Sequence, residues 1–203
     1  MRRFVLALAL VFVMIPATAS AGEDEPLSGL LEGYVDTQTM PPSYGVIDGF
    51  LFWNKGISGI EAFFLVSPGF STTYAGPQLN LEAGPAAIHL AGFVGVEDFQ
   101  GKLLPRYAAE ASLNVSKFRF YGVFEHDFAD AGYWYTGSAT RSVALFDFGL
   151  RARSLAGWGP LAAVNGSVGG LPFQFWLHWA PNGPERLETF TPEKFQLGAI
   201  IFM

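Results

Sequence analysis

The sequence predicts an all-β chain: an antiparallel up-and-down transmembrane β-barrel of about 10–12 strands, following a cleaved signal peptide. Three observations carry this expectation. Apolar and polar residues alternate with a period of two along most of the chain. After the first 21 residues no apolar run approaches the ~20 residues that a spanning helix needs. The chain is 50% apolar with 24 Gly, yet only 15% charged, which is sparse charge for a soluble domain.

The first element is not part of the fold. Arg2 and Arg3 precede an apolar run over 4–15, then Pro16 and the small-x-small exit Ala19-Ser20-Ala21. This is the layout of a secretory signal peptide, over residues 1–21 and cut after Ala21. No Cys follows the cut, so no lipoprotein anchor is expected. Residues 22–203 then form a single barrel domain, with 22–37 read as a loose tail, a plug or the first strand. Without Arg2 and Arg3, ten basic side chains face eighteen acidic ones, a formal charge of about −8. No basic stripe is present, so nucleic acid is not an expected partner. The chain has no Cys, which removes disulfides and thiolate–metal chemistry.

The strands follow in order. Segments 29–37, 44–54 and 59–67 are less regular, and 63–66 (Phe-Phe-Leu-Val) is apolar on both faces. Over 71–82, Thr73, Ala75, Leu79 and Leu81 oppose Tyr74, Gln78, Asn80 and Glu82. Over 84–97, Ile88, Leu90, Val94 and Val96 oppose His89, Phe93 and Glu97. Over 105–115, Tyr107, Ala109, Ala111, Leu113 and Val115 oppose Arg106, Glu110, Ser112 and Asn114. A tight turn at Ser116-Lys117 then sets Leu113 opposite Phe120 and Asn114 opposite Arg119, apolar on apolar and polar on polar. Segment 131–137 is needed as a strand to keep an even count. The run 141–153 reads as one strand, with Ala144, Phe146, Phe148 and Leu150 opposing Asp147, Arg151 and Arg153, and with Ser142 on the lipid side. Segments 159–168 and 171–180 complete the series before the closing strand.

Turn chemistry separates these segments at Asn54-Lys55-Gly56, Ser67-Pro68-Gly69, Gly84-Pro85, Gly157-Trp158-Gly159 and Gly169-Gly170. Longer connections are expected at 98–104, 154–158 and 181–193, on the outer side. Turns 116–117 and 169–170 fall at the opposite, periplasmic end. Tyr133, Trp134, Tyr135, Trp158, Trp176 and Trp179 lie near predicted strand ends, where an interfacial aromatic girdle or ordinary aromatic packing would place them.

In the final strand, Phe195, Leu197, Ala199, Ile201 and Met203 share one face, with Lys194, Gln196 and Gly198 on the other. The pattern Gln196, Gly198, Ile201, Met203 resembles the C-terminal signal read by bacterial barrel-assembly machinery, with Met where Phe is more usual. With the leader and the alternation, the chain resembles the general class of small bacterial outer-membrane β-barrels. That resemblance implies residence in the outer membrane of a Gram-negative-type cell, with outer-membrane lipid and the assembly machinery as partners. It carries no substrate or functional residue.

The inward face collects Asp48, Glu61, His89, Glu97, Arg106, Glu110, Arg119, Glu125, Asp147, Arg151, Arg153 and His178. Acids and bases are interleaved. In a narrow barrel they brace a filled lumen as an ion-pair network; in a wider one they line a small aqueous pore for a small solute. Glu125-His126-Asp127, near Asp130, is the one acid–His run, but strand neighbours point to opposite faces, so no metal site is expected. No nucleophile elbow or phosphate-cradling loop is present, so no catalytic residue and no cofactor is expected. Ser112 and His89 share a face only as any inward pair does.

The function expected is therefore a non-enzymatic integral outer-membrane barrel, structural or porin-like. One alternative is a soluble periplasmic barrel or sandwich holding a lipid or other apolar ligand, as lipocalin-like proteins do, with the Phe rows inward. The other is an outer-membrane lipid-modifying enzyme, which needs a rim Ser–His pair.

Overall fold

A strand apolar on one face and polar on the other leaves its backbone groups unsatisfied unless it pairs, and in lipid only closure removes the open edges. The computed structural model, which describes residues 27–37, 44–68, 70–99, 101–127, 133–154, 156–181 and 194–203, has that solution. The signal-peptide reading and most of the 181–193 connection lie outside the described residues. Twelve antiparallel strands form one closed barrel, each hydrogen-bonded to its sequence neighbours, with the first paired to the last.

They are β1 (Leu27–Thr37), β2 (Tyr44–Lys55), β3 (Ser58–Ser67), β4 (Phe70–Ala83), β5 (Ala86–Phe99) and β6 (Lys102–Val115). The second half comprises β7 (Phe118–Asp127), β8 (Tyr133–Val143), β9 (Phe146–Arg153), β10 (Gly157–Val168), β11 (Leu171–Ala180) and β12 (Lys194–Phe202). Closure runs through Gly33 opposite Ala199 and Val35 opposite Leu197. It extends to Met203, which exchanges backbone hydrogen bonds of 2.8 and 2.7 Å with Gly29. The β6–β7 register sets Leu113 opposite Phe120 and Asn114 opposite Arg119, as the pattern predicts.

One end of the barrel carries Leu27, Met203 and five two-residue turns, at 56–57, 84–85, 116–117, 144–145 and 169–170. This is called the terminal end below. The first residue of every one of these turns has positive φ: Gly56 at 64°, Gly84 at 59°, Ser116 at 53°, Ala144 at 54° and Gly169 at 61°. Primed hairpin turns need that conformation because their twist matches the strands they join.

Three expectations are corrected. The run 141–153 is not one strand: β8 ends at Val143, and an Ala144-Leu145 turn leads into β9. Ala-Leu carries no turn chemistry, so the reversal is invisible in composition. A two-residue turn sets Ser142 opposite Asp147, and opposed residues share a face, so Ser142 points into the barrel and not to lipid. The long connection expected at 98–104 is mostly strand: β5 and β6 pair as far as Phe99 opposite Lys102, and the Gly101 amide (φ 83°) donates to Asp98 Oδ1 at 2.9 Å. Pro105 sits within β6 opposite Val96, in the strand expected over 105–115. The Gly157-Trp158-Gly159 turn is instead the start of β10, paired with β9. Gly159 is needed for close approach, since a Cβ there would lie 1.9 Å from the Trp179 carbonyl oxygen.

The facing of the rows excludes the inverted, lipocalin-like alternative. Phe118, Phe148, Leu150, Phe175 and Leu197 are exposed on the outer wall, while Asp48, Glu61, Glu110, Asp147 and His178 are buried inside. The doubly apolar 63–66 run is resolved as well. Phe63 and Leu65 line the interior, and Phe64 lies on the outer wall against Gly49, where an added Cβ would meet its ring at 2.7 Å. Of the aromatics near the strand ends, Tyr133, Tyr135, Trp158 and Trp179 are exposed on the outer wall. Trp134 and Trp176 instead turn inward, against Arg153 and Arg151.

Candidate functional site

The lumen is built by the residues whose parity along each strand points inward, and the barrel brings them into four groups. Towards the far end, Arg106 of β6 lies between two acids. Its Nη1 is 2.5 Å from Glu97 Oε2 on β5 and 3.8 Å from Glu125 Oε2 on β7. Tyr74 of β4 donates to the same Glu125 oxygen at 2.6 Å.

The second group lies on the opposite wall. Arg153 donates to the Tyr34 hydroxyl and stacks over the rings of Tyr34, at 4.5 Å, and Trp134, at 5.2 Å. Arg151 stacks over Trp176 at 4.5 Å. His178, fully buried, donates from Nε2 to the Arg151 carbonyl at 3.1 Å and meets the Gln196 side-chain amide through Nδ1 at 3.1 Å. Asp48 is buried nearby.

Two groups occupy the terminal half. Asp147 accepts three hydrogen bonds, from Ser142 (2.5 Å), Asn165 (2.9 Å) and Gln174 (3.0 Å). On the facing wall Glu61, His89 and Glu110 converge. His89 Nε2 is 2.9 Å from Glu61 Oε2 and 3.6 Å from Glu110 Oε1. His89 Nδ1 is 2.8 Å from Asn80 Oδ1, and Tyr121 donates to Glu110 at 3.3 Å. Arg119 stands apart from these groups on the wall of the terminal-end cavity.

The expected interleaving is therefore present, but direct ion pairing is only part of it. Arg151 and Arg153 rest on aromatic faces, Asp147 on a hydroxyl and two amides, and His178 on an amide and a carbonyl. Parity shared with a charged or His residue of the same strand picks out Tyr34, Tyr74, Asn80, Tyr121, Gln174 and Trp176 from the sequence; Trp134 and Asn165 have no such neighbour, since Arg141 of β8 has the opposite parity and β10 carries no charge. Ser112 lies opposite His89 in register, but both ring nitrogens of His89 are taken up by Asn80 and Glu61.

The acid–His run on β7 diverges: Glu125 is buried inside, while His126 stacks on the exposed ring of Tyr107 at 5.5 Å. The side chain of Asp127, and Asp130, lie outside the described residues. Of the closing motif, Gln196 is buried against His178 and Ile201 faces outward opposite Phe173 and Leu31. Gly198 seats Trp176, for a Cβ there would come within 2.4 Å of the indole.

Free space in the lumen is unevenly distributed. A vestibule of about 760 Å³ opens at the terminal end, walled by residues that include Phe52, Glu110, Asn114, Arg119, Tyr121, Gln174 and Phe202. A separate small cavity of about 60 Å³ lies among Phe50, Phe63, Tyr74, Phe93, Trp134, Arg153 and their neighbours, drawn from β1 through β9. That is room for a few waters. A larger hollow of about 1080 Å³ lies on the outer wall, where Gly33, Gly45, Ala162 and Ala199 leave a dent framed by Ile47, Phe148, Phe175 and Leu177.

No family model and no curated protein matches the sequence. Among solved structures, outer membrane phospholipase A from Escherichia coli is similar, with a TM-score of 0.51 at 7% identity over 87% of this chain and 89% of that one. The Salmonella typhi outer membrane phospholipase dimer with bound calcium gives 0.47 at 7% identity, over 87% and 90%. OccD1 (OprD) gives 0.43 at 10% identity, over 90% and 66%. At such identities the likeness is one of fold: the chain has the architecture of a bacterial outer-membrane β-barrel.

Proposed function

We propose that the chain is an integral outer-membrane barrel without catalytic activity, whose lumen is braced and closed, so that its role is structural and not that of a porin. The observation that carries this reading is the crowding of large rings around the small cavity of about 60 Å³. Twelve strands enclose more room than eight, and side chains need not fill it. Here they do, because large rings from several walls meet at one level. Tyr74 and Phe93 belong to one buried apolar cluster, and Tyr34 and Trp176 to another. Arg106 and Arg153 tie the adjoining acids and rings together. The exposed apolar outer wall supports residence in the membrane, since removing apolar area from water is favourable by about 25 cal/mol per Å².

The test is expression of the full chain, outer-membrane fractionation, and conductance of the purified protein in planar bilayers. Outer-membrane recovery, a boiling-dependent gel shift and no stepwise conductance are expected. Ohmic channels in the wild type would overturn the closed-lumen reading. A second reading, a lipid-modifying enzyme, is favoured by the fold likeness to a phospholipase and by the outward His126 beside Tyr107. Fatty-acid release from phospholipid vesicles, abolished by His126→Ala, would replace the structural reading with it.

A further inference from the structure

Three ligand-type side chains from three strands converge on one point of the lumen wall. Glu61 lies on β3, His89 on β5 and Glu110 on β6, and one ligand atom from each lies within 4.8 Å of the others. Glu61 must cross β4 to reach His89. Its register partner there is Gly76, which has no side chain to obstruct it.

The neighbouring amides orient the imidazole. Gln78 and Asn80 both donate their side-chain N–H to Asn54 Oδ1, at 2.8 and 2.9 Å. Asn80 therefore turns its oxygen towards His89 and accepts from Nδ1–H at 2.8 Å. His89 Nε2 is within hydrogen-bond distance of Glu61 Oε2, at 2.9 Å, and a metal ion would take the place of the proton there while Nδ1–H stays on Asn80. Three lone-pair donors then face that position. An N–H donor behind a coordinating imidazole, fixed by a neighbouring oxygen that accepts it, is the usual support of a metal-binding histidine.

Glu61 supplies an independent observation. It is fully buried, and its Oε1 has no hydrogen-bond partner. Among the described residues no Lys or Arg lies within ion-pair distance of Glu61 or Glu110, and His89 is their one basic neighbour. A buried carboxylate with an orphan oxygen needs a positive charge close by. The group is accessible: the His89 side chain is 15% exposed, and Glu110 lines the vestibule.

We propose that Glu61, His89 and Glu110 bind a single divalent transition-metal ion of the zinc class, entering from the terminal-end vestibule. One imidazole and two carboxylates suit zinc and its neighbours, while calcium prefers an all-oxygen shell. Three protein ligands leave a coordination position for water on the vestibule side. The site stands whether or not the lumen conducts, because it uses one wall and the vestibule alone.

The experiment is calorimetric titration of Zn²⁺ into the untagged, metal-stripped mature barrel in detergent. One equivalent per chain is expected, with no displacement by Ca²⁺. His89→Ala is expected to weaken binding by about a hundredfold or more, and Asn80→Ala by roughly tenfold, while His126→Ala on the outer wall leaves it unchanged. Absence of saturable binding in the wild type, or wild-type binding by a folded His89→Ala chain, would overturn the proposal. Should His89→Ala fail the heat-shift test of folding, Co²⁺ in the wild type decides. A low-symmetry spectrum with a nitrogen ligand supports the site, and the spectrum of the aqueous ion overturns it.

Discussion

Gly198 belongs to the motif that resembles an assembly signal, yet it also has a local task. Its missing side chain is the seat of Trp176, whose indole in turn carries Arg151. Gly198→Ala forces the ring to move, and overpacking of this kind costs about 1–3 kcal/mol. The urea midpoint of the folded barrel in detergent should fall accordingly; an unchanged midpoint would refute the seating. Arg106 is a second residue with a defined role, holding Glu97 and Glu125 in a low-dielectric interior. Removing one partner of a buried pair costs about 3–5 kcal/mol, and replacing both by apolar or neutral groups costs less. Arg106→Ala should therefore destabilise by about 3 kcal/mol, and Arg106→Met with Glu97→Gln by less. Urea titration of the single and double variants checks this, and equal losses would count against the pairing.

At the level of the element, the five terminal-end hairpins share one geometry but not one chemistry. Three open with Gly and two with Ser116 and Ala144, all at positive φ. An L-residue with a Cβ held in the left-handed region carries about 1–2 kcal/mol of strain, and glycine's greater unfolded-chain entropy takes back part of what relieving it gains. Ala144→Gly should accordingly raise stability by about 0.5–1 kcal/mol, read as a higher urea midpoint with an unchanged slope. A lower midpoint would mean that the alanine is favoured by contacts not accounted for above. The same alanine shows why strand reading failed here. Period-two alternation continues unbroken through 141–153, because a two-residue reversal preserves the apparent rhythm while exchanging the faces. Ser142 was consequently placed on the wrong side. The glycine-marked turns at 56, 84 and 169 caused no such error.

Across the whole molecule, the two buried apolar clusters and the charges between them are the proposed barrier, with a vestibule at the terminal end. If those rings are the barrier, trimming them should open it. Tyr74→Ala with Phe93→Ala should turn a silent barrel into one with measurable single-channel conductance. A silent double variant that still shows the heat shift would place the barrier elsewhere in the lumen. Loss of the Tyr74 hydroxyl also removes a 2.6 Å hydrogen bond to Glu125, so the single variant Tyr74→Phe serves as the control.

The facing of most inward residues was legible from the chain alone, because side-chain parity along a strand is a local property of extended backbone. Glu110, Asp147, Arg153 and His178 needed no partner strand to be assigned inward, and the turn at 116–117 fixed the register of its two strands. Which inward residues meet was not legible. Glu61, His89 and Glu110 are far apart in the chain and on three strands, and Tyr34 and Arg153 are joined only because β1 and β9 face each other across the interior. The first meeting depends on the registers of β3 through β6, and the second on closure of β12 upon β1, all set by pairing between strands. Whether the lumen is open or filled has the same origin, since it turns on the volumes of side chains projecting from opposite walls.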